Sequence, residues 1–116
     1  MKTVFHVSSS DTGDQQHAMI NVANLLADQS VYSSGDEVII LANGAAVRMF
    51  VEETADHPDM VETLFDDGVS LRACGNALSS MNATDDDLLA GVEIVPSGSG
   101  ELARLQSEGF GYVKAP

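Results

Sequence analysis

Hydrophobic and polar positions follow two rhythms along the chain, and their alternation predicts the elements. Thr3-Val4-Phe5-His6-Val7 is a short β-branched and aromatic run that stops at Ser8-Ser9-Ser10-Asp11-Thr12-Gly13, a loop rich in helix N-cap side chains. A strand followed by a helix is the reading. In that helix Met19, Val22, Ala23 and Leu26 recur at i, i+3, i+4 and i+7, so one stripe faces a core, and Ser34-Gly35-Asp36 breaks it. Glu37 to Ala42 carries Val38-Ile39-Ile40-Leu41, an unbroken apolar run of the kind expected of a central parallel strand covered on both faces. Asn43-Gly44 then turns the chain.

The rhythm returns to helical spacing at Ala46, Val47, Phe50 and Val51, and again from Pro58, a residue suited to a first helical turn, with Val61, Leu64 and Phe65 predicted inward. Val69 to Ala73 reads as a strand stopping at Cys74-Gly75-Asn76, Ala77 to Met81 as helical, and Thr84-Asp85-Asp86-Asp87 as a capped short turn. Val92 to Val95, ended by Pro96, is a further strand. Ser97-Gly98-Ser99-Gly100-Glu101 opens a helix bearing Leu102 and Leu105, and Gly109 to Val113 closes the chain as a last strand. Strands separated by helical stretches make right-handed βαβ units, which predicts a three-layer α/β/α domain over residues 1–116 with a mostly parallel sheet of about five strands.

Composition narrows the partners. Lys+Arg 5 against Asp+Glu 18 gives a net charge of −13, which disfavours nucleic acid and anionic membrane surfaces. The acids are spread along the chain rather than gathered in a tail, which reads as a halophilic surface whose self-repulsion is screened at high salt. The lone Cys74 excludes an intrachain disulfide, and three dispersed His residues with one Cys supply no closed zinc site. The first residues show no apolar stretch of signal-peptide type, and no run approaches the roughly 20 residues that cross a bilayer, so a cytoplasmic protein is expected.

In an open α/β sheet, ligands sit beyond the carboxyl ends of the strands. Four loops end there: Ser8 to Asp14, Asn43 to Ala46, Cys74 to Asn76, and Pro96 to Gly100. Each is also explained by ordinary turn and cap chemistry. Ser8, Asn43 and Gly44 are candidate binding residues on this ground. Cys74 ends a strand where the first amides of a helix would favour a thiolate by about 0.3–1 kcal/mol, and Arg72, two residues earlier on the same side, could add a cation. A buried free cysteine acting as a small hydrophobe, and Arg72 as an ion-pair partner, are the plainer alternatives. His6 reads as a satisfied sheet residue, and His17 and His57 as solvent-facing. No Walker loop is present, and Gly98-x-Gly100 is only a weak anion signal.

Taken in order, four segments carry a resemblance: the opening strand with its polar loop and long helix; Asp36 to Gly44; Val69-Ser70-Leu71-Arg72-Ala73-Cys74-Gly75-Asn76-Ala77-Leu78; and Gly91 to Gly98 with Glu101 to Gln106. The chain resembles the DsrE/DsrF-like (YchN-like) proteins, associated with sulfur relay and intracellular sulfur oxidation, and Gly75-Asn76-Ala77-Leu78 is similar to their uncharacterised single-gene branch. The resemblance implies a sulfur-carrying Cys74 that accepts sulfane sulfur as a persulfide and hands it on. It also implies donor and acceptor proteins, and a trimeric or hexameric homo-oligomer. Gly75 and Asn76 amides would stabilise charge on the sulfur, with Arg72 as helper, and the chemistry needs no metal or organic cofactor. Two other classes remain open: a non-catalytic binding module with Cys74 lining its crevice, and a redox sensor forming intersubunit disulfides.

Overall fold

The computed structural model describes all residues, 1–116. Five strands form one sheet: β1 (Lys2–Val7), β2 (Glu37–Ala42), β3 (Ser70–Cys74), β4 (Val92–Val95) and β5 (Gly111–Ala115). Their spatial order is β4-β3-β2-β1-β5, and every neighbouring pair is parallel. The helices are α1 (Thr12–Ala27), α2 (Pro58–Asp66), α3 (Gly75–Ser80) and α4 (Gly98–Ser107), with 3-10 turns at Gly44–Phe50 and Asp85–Asp87. β2 is the central strand, and its apolar run is buried from Val38 to Ala42. The mixed α/β fold with a parallel five-stranded sheet is therefore as the hydrophobic rhythm predicts.

Alternation along the strands divides two cores. Phe5, Val7, Val38, Ile40, Ala42, Leu71 and Ala73 point to the face where Met19, Val22, Phe50, Val61 and Leu64 pack, in a cluster of 21 buried residues. The opposite face has a cluster of only 7: Val4, Ile39 and Leu41 with Val95, Leu102, Leu105 and Phe110. One helix, α4, supplies most of that cover. Its ends are well defined. Ser97 Oγ accepts from Gly100 N–H at 3.1 Å at the start. At the end Gly109 adopts φ +93°, so that Phe110 N–H can reach Leu105 O at 3.0 Å, the hydrogen bond of a Schellman motif.

That motif explains why the last strand begins at Gly111 rather than at Gly109. α2 ends in the same way at Gly68, φ +96°, with Val69 N–H on Leu64 O at 3.0 Å. Other expectations are corrected. Phe65 is 43% exposed, because Val61 and Leu64 already fill the inward stripe of a nine-residue helix; its ring lies over Gly91 instead. Ala23 is exposed for the corresponding reason, the inward positions of α1 being Gln15, Ala18, Met19 and Val22. α1 stops at Ala27, well before Ser34-Gly35, because Asp28 caps it and organises the next turn through Ser30. His57 is half-buried, with Nε2 2.9 Å from Thr12 Oγ1, so it ties the starts of α1 and α2 together. His17 is exposed as expected.

None of the 18 acidic side chains is buried, and only Asp36, Glu101 and Glu108 take part in ion pairs. No helix is long and apolar enough to cross a membrane.

Candidate functional site

The carboxyl ends of β1, β2 and β3 meet the start of α4 at one rim of the sheet. Asn43 follows β2 directly and its N–H bonds Val7 O at 3.1 Å, so the ends of β1 and β2 are joined there. Gly44, φ +54°, carries the chain away beside the Ser8 carbonyl. Ser8 itself is exposed, and its hydroxyl accepts from Lys114 Nζ at 2.8 Å.

Cys74 is the last residue of β3 and the N-cap residue of α3. It is 7% exposed. Strand alternation places Ser70, Arg72 and Cys74 on the α4 side, opposite Leu71 and Ala73. The first turn of α4 comes up against it: a methyl group added at Gly98 would stand 3.6 Å from Cys74 Sγ, 3.3 Å from Cys74 Cβ and 2.9 Å from Asn43 Cβ. Gly98, Asn43 and Cys74 thus share one point, and only a residue without a side chain fits between the other two. Around them Gly44, Asn76, Pro96 and Ser99 are exposed.

One expected contributor to the thiol's chemistry, Arg72, is committed elsewhere, while Gly75 and Asn76 are the first two residues of α3 after Cys74. Arg72 shares the face of Cys74, but its Nη1 lies 2.6 Å from Glu101 Oε2 and its Nε donates to Ser70 Oγ at 3.2 Å. Its charge is committed to α4, not to the sulfur. Gly75 is a packing residue, since a side chain there would come within 2.9 Å of the Val95 carbonyl. Asn76 is exposed, and its carbonyl accepts from Ser80 Oγ at 3.1 Å; the Cys74 side chain makes no capping hydrogen bond with α3. The thiol itself is more covered than a sulfur emerging freely at the rim, because α4 closes over the α4-side positions of β3.

Glu101 anchors α4 to β3 with both carboxylate oxygens, accepting from Arg104 Nε at 2.7 Å as well as from Arg72. The Arg104 hydrogen bond holds the Glu101 carboxyl below the usual carboxylate range; partial burial pulls upward, and Arg72 adds to the lowering. A depressed folded value means that this stabilisation is present above the ordinary carboxyl value of 4.5 and is lost as pH falls through the folded one. Glu101→Gln is expected to be less stable than wild type at pH 6 by about 1–2 kcal/mol in urea melts, the deficit shrinking towards pH 3. An equal deficit at both pH values would show that the charge of Glu101 does not matter.

His6 is the satisfied sheet residue expected, but its partners escaped sequence reasoning. His6 is held at both ring nitrogens, Nδ1 2.7 Å from Tyr112 Oη and Nε2 2.8 Å from Asn43 Oδ1. The residues are dispersed along the chain, and only strand order brings them together; no sequence signal pairs them. No group of three or more His, Cys, Asp or Glu side chains is arranged to hold a metal ion.

Comparison with known proteins agrees with this architecture. A protein of unknown function, MTH1491 from Methanobacterium thermoautotrophicum, matches with TM-score 0.88 and 31% identity over 97% of both chains. The ychN protein from E. coli matches with TM-score 0.80 over 98% of both chains, at 17% identity, a likeness of fold alone. No curated protein matches the chain. The model of the DsrE/DsrF-like family covers residues 1–115, and the chain accordingly belongs to that family, which is linked to sulfur relay.

Proposed function

We propose that the protein is a sulfur carrier that holds sulfane sulfur as a persulfide on Cys74. The observation that carries this reading is the position of the sole cysteine, at the carboxyl end of β3 where β2, β3 and the first turn of α4 converge. Family membership supports it through the link to sulfur relay. Cys74 thiolate attacks the outer sulfur of a donor persulfide R–S–SH. The new bond joins Sγ to that sulfur, the donor S–S bond breaks, and R–S⁻ leaves. An acceptor thiolate then removes the outer sulfur by the same displacement and regenerates Cys74 thiolate, with no net oxidation.

Because the chain has one cysteine, no internal disulfide can discharge the carrier, so loading is from a donor protein and release is to an acceptor protein's thiol. The covered setting of Cys74 suits a cargo that bulk thiols and oxidants would otherwise remove. Mass spectrometry after exposure to a small persulfide should find one added sulfur atom on Cys74, released by excess thiol. A thiol that alkylates readily yet takes up no sulfur would refute the carrier reading.

The proposed carrier is a trimer or hexamer. Strand pairing sets Val4 beside Tyr112 and His6 beside Lys114, all on the face that α4 covers only in part, and Tyr112 is 42% exposed there. A small domain gains stability by burying such surface. Light scattering in molar KCl should give three or six times the 12.2 kDa chain mass; a monomer at micromolar concentration would exclude the assembly.

A further inference from the structure

We infer that the cleft between the 3-10 turn Gly44–Phe50 and α3 is a binding site for a small organic carboxylate, with Arg48 as the residue that holds the anion. The inference goes beyond the sulfur-carrier reading and does not require Cys74 to react.

An exception in the charge pattern points there. The chain has 5 Lys and Arg side chains against 18 acids, and all but one of the cations are tied down within the protein. Lys2 Nζ donates to Glu108 O, and Lys114 Nζ to Ser8 Oγ and Ala115 O. Arg72 and Arg104 both pair with Glu101, and Arg104 also with Glu108. Arg48 alone has a guanidinium with neither a hydrogen bond nor an ion pair inside the chain, although acids outnumber cations more than three to one.

That guanidinium borders a cleft of about 320 Å³. Ala45, Val47 and Arg48 line it from the turn that follows β2, and Ala77, Ser80 and Met81 from the helix that follows β3 and its C-cap. The cleft therefore lies beyond the carboxyl ends of two neighbouring parallel strands, where open α/β sheets take ligands. Its size is at the lower end of the range for small-molecule sites, roughly 300–1,000 Å³. Gly44, a candidate binding residue on sequence grounds, borders the same cleft.

The walls set the class of ligand. Val47, Ala77 and Met81 offer an apolar surface that suits a hydrocarbon body. Ser80 Oγ gives its hydrogen to Asn76 O, which leaves Arg48 as the side chain that donates into the cleft. One planar guanidinium matches the two oxygens of a carboxylate. A phosphate or sulfate dianion would find a single cationic partner here, and it would be repelled more strongly by a chain of net charge −13. A carboxylate monoanion on a short aliphatic body fits both the charge and the walls.

The test is an NMR titration of the ¹⁵N-labelled chain with isovalerate, its neutral isostere isovaleramide, acetate and inorganic sulfate. Molar potassium fluoride screens the acidic surface with an anion that competes little for a guanidinium. Isovalerate should shift the amides of Ala45, Arg48, Ala77 and Ser80 saturably. Isovaleramide and sulfate should bind about tenfold or more weakly, and so should acetate, which lacks the apolar body. Arg48→Gln should lose about tenfold in affinity for isovalerate and none for isovaleramide, with an unchanged melting temperature because the exposed guanidinium has no partner to lose. Lys2→Gln removes the same unit of charge at the start of β1, the opposite end of the sheet, and should bind isovalerate as wild type does. Ala45→Leu alters no charge, yet it should fill the cleft and abolish the shifts.

Equal binding of isovalerate and isovaleramide, sulfate binding as tightly as isovalerate, equal losses in Arg48→Gln and Lys2→Gln, or no saturable shift at the cleft would each overturn the inference. Sulfur uptake on Cys74 is read by mass rather than by these shifts. A chain that binds isovalerate as expected but takes up no sulfur would retain the Arg48 site and lose the carrier reading, and the reverse result would do the opposite.

Discussion

Cys74→Ser is expected to take up no sulfur under conditions in which the wild-type chain gains one atom, a loss limited only by the sensitivity of the mass spectrum. The reason is chemical. A serine oxygen forms no persulfide, and no second cysteine exists to substitute for the first. The fold should survive. Oxygen replaces sulfur at a site that is 7% exposed, where a hydroxyl lacking a strong partner costs about 1–3 kcal/mol, within what a domain of this size tolerates in salt. The oligomer should also persist. A non-catalytic binding module behaves differently, since its ligand affinity would hardly change on exchanging one lining atom. A redox sensor would lose its intersubunit disulfide on non-reducing gels while the wild type showed no stable sulfur adduct. Retention of sulfur transfer by Cys74→Ser would eliminate the proposed carrier mechanism outright.

The second large effect is expected from salt. With none of the 18 acidic side chains buried and only three of them in ion pairs, folding draws together a surface of mostly uncompensated negative charge. Glu52 and Glu53 face Asp86 and Asp87 across one cleft, where no Lys or Arg intervenes. Carboxylates about 7 Å apart repel by roughly 0.6 kcal/mol in water, and several such pairs amount to about 2 kcal/mol in dilute buffer. Molar KCl shortens the screening length to about 3 Å and removes most of this. At roughly 4–8 °C per kcal/mol for a small domain, the melting temperature should fall on the order of 10 °C when molar KCl is exchanged for dilute buffer. An unchanged melting temperature would contradict the halophilic proposal and point to ion-specific or packing terms instead.

The two effects differ in kind. Sulfur uptake depends on a single atom, whereas salt dependence is distributed over the whole surface, so Cys74→Ser should show the same salt profile as wild type. The cleft formed by Glu52, Glu53, Asp86 and Asp87 is part of that distributed charge.

Much of the architecture was legible before any coordinates. The continuous run Val38-Ile39-Ile40-Leu41 announced a strand buried on both sides, and β2 is indeed the centre of the sheet. Pro58, Ser97 and Thr84 marked element starts because a fixed φ or a capping hydroxyl acts within one turn. Phe65 misled because a short amphipathic helix admits two candidate inward positions at its end, and packing by Val61 and Leu64 settled which was used. Arg72 misled for a different reason. Its side of the strand followed from alternation, but its partner Glu101 lies 29 residues away on α4.

By itself the sequence determined the element types, the parallel sheet, the acidic surface and the place of Cys74 at a strand end, since each depends on local periodicity, local capping or simple counting. The tertiary structure decided which side chains meet at that rim. His6 and Tyr112 are separated by 106 residues and His6 and Asn43 by 37, and these side chains meet only because β5 and β2 flank β1. The closing of α4 over β3, which occupies Arg72 and brings Gly98 against Cys74, likewise follows from strand order and crossover. Contacts of that range are set by how the whole chain packs, and no short stretch of residues encodes them.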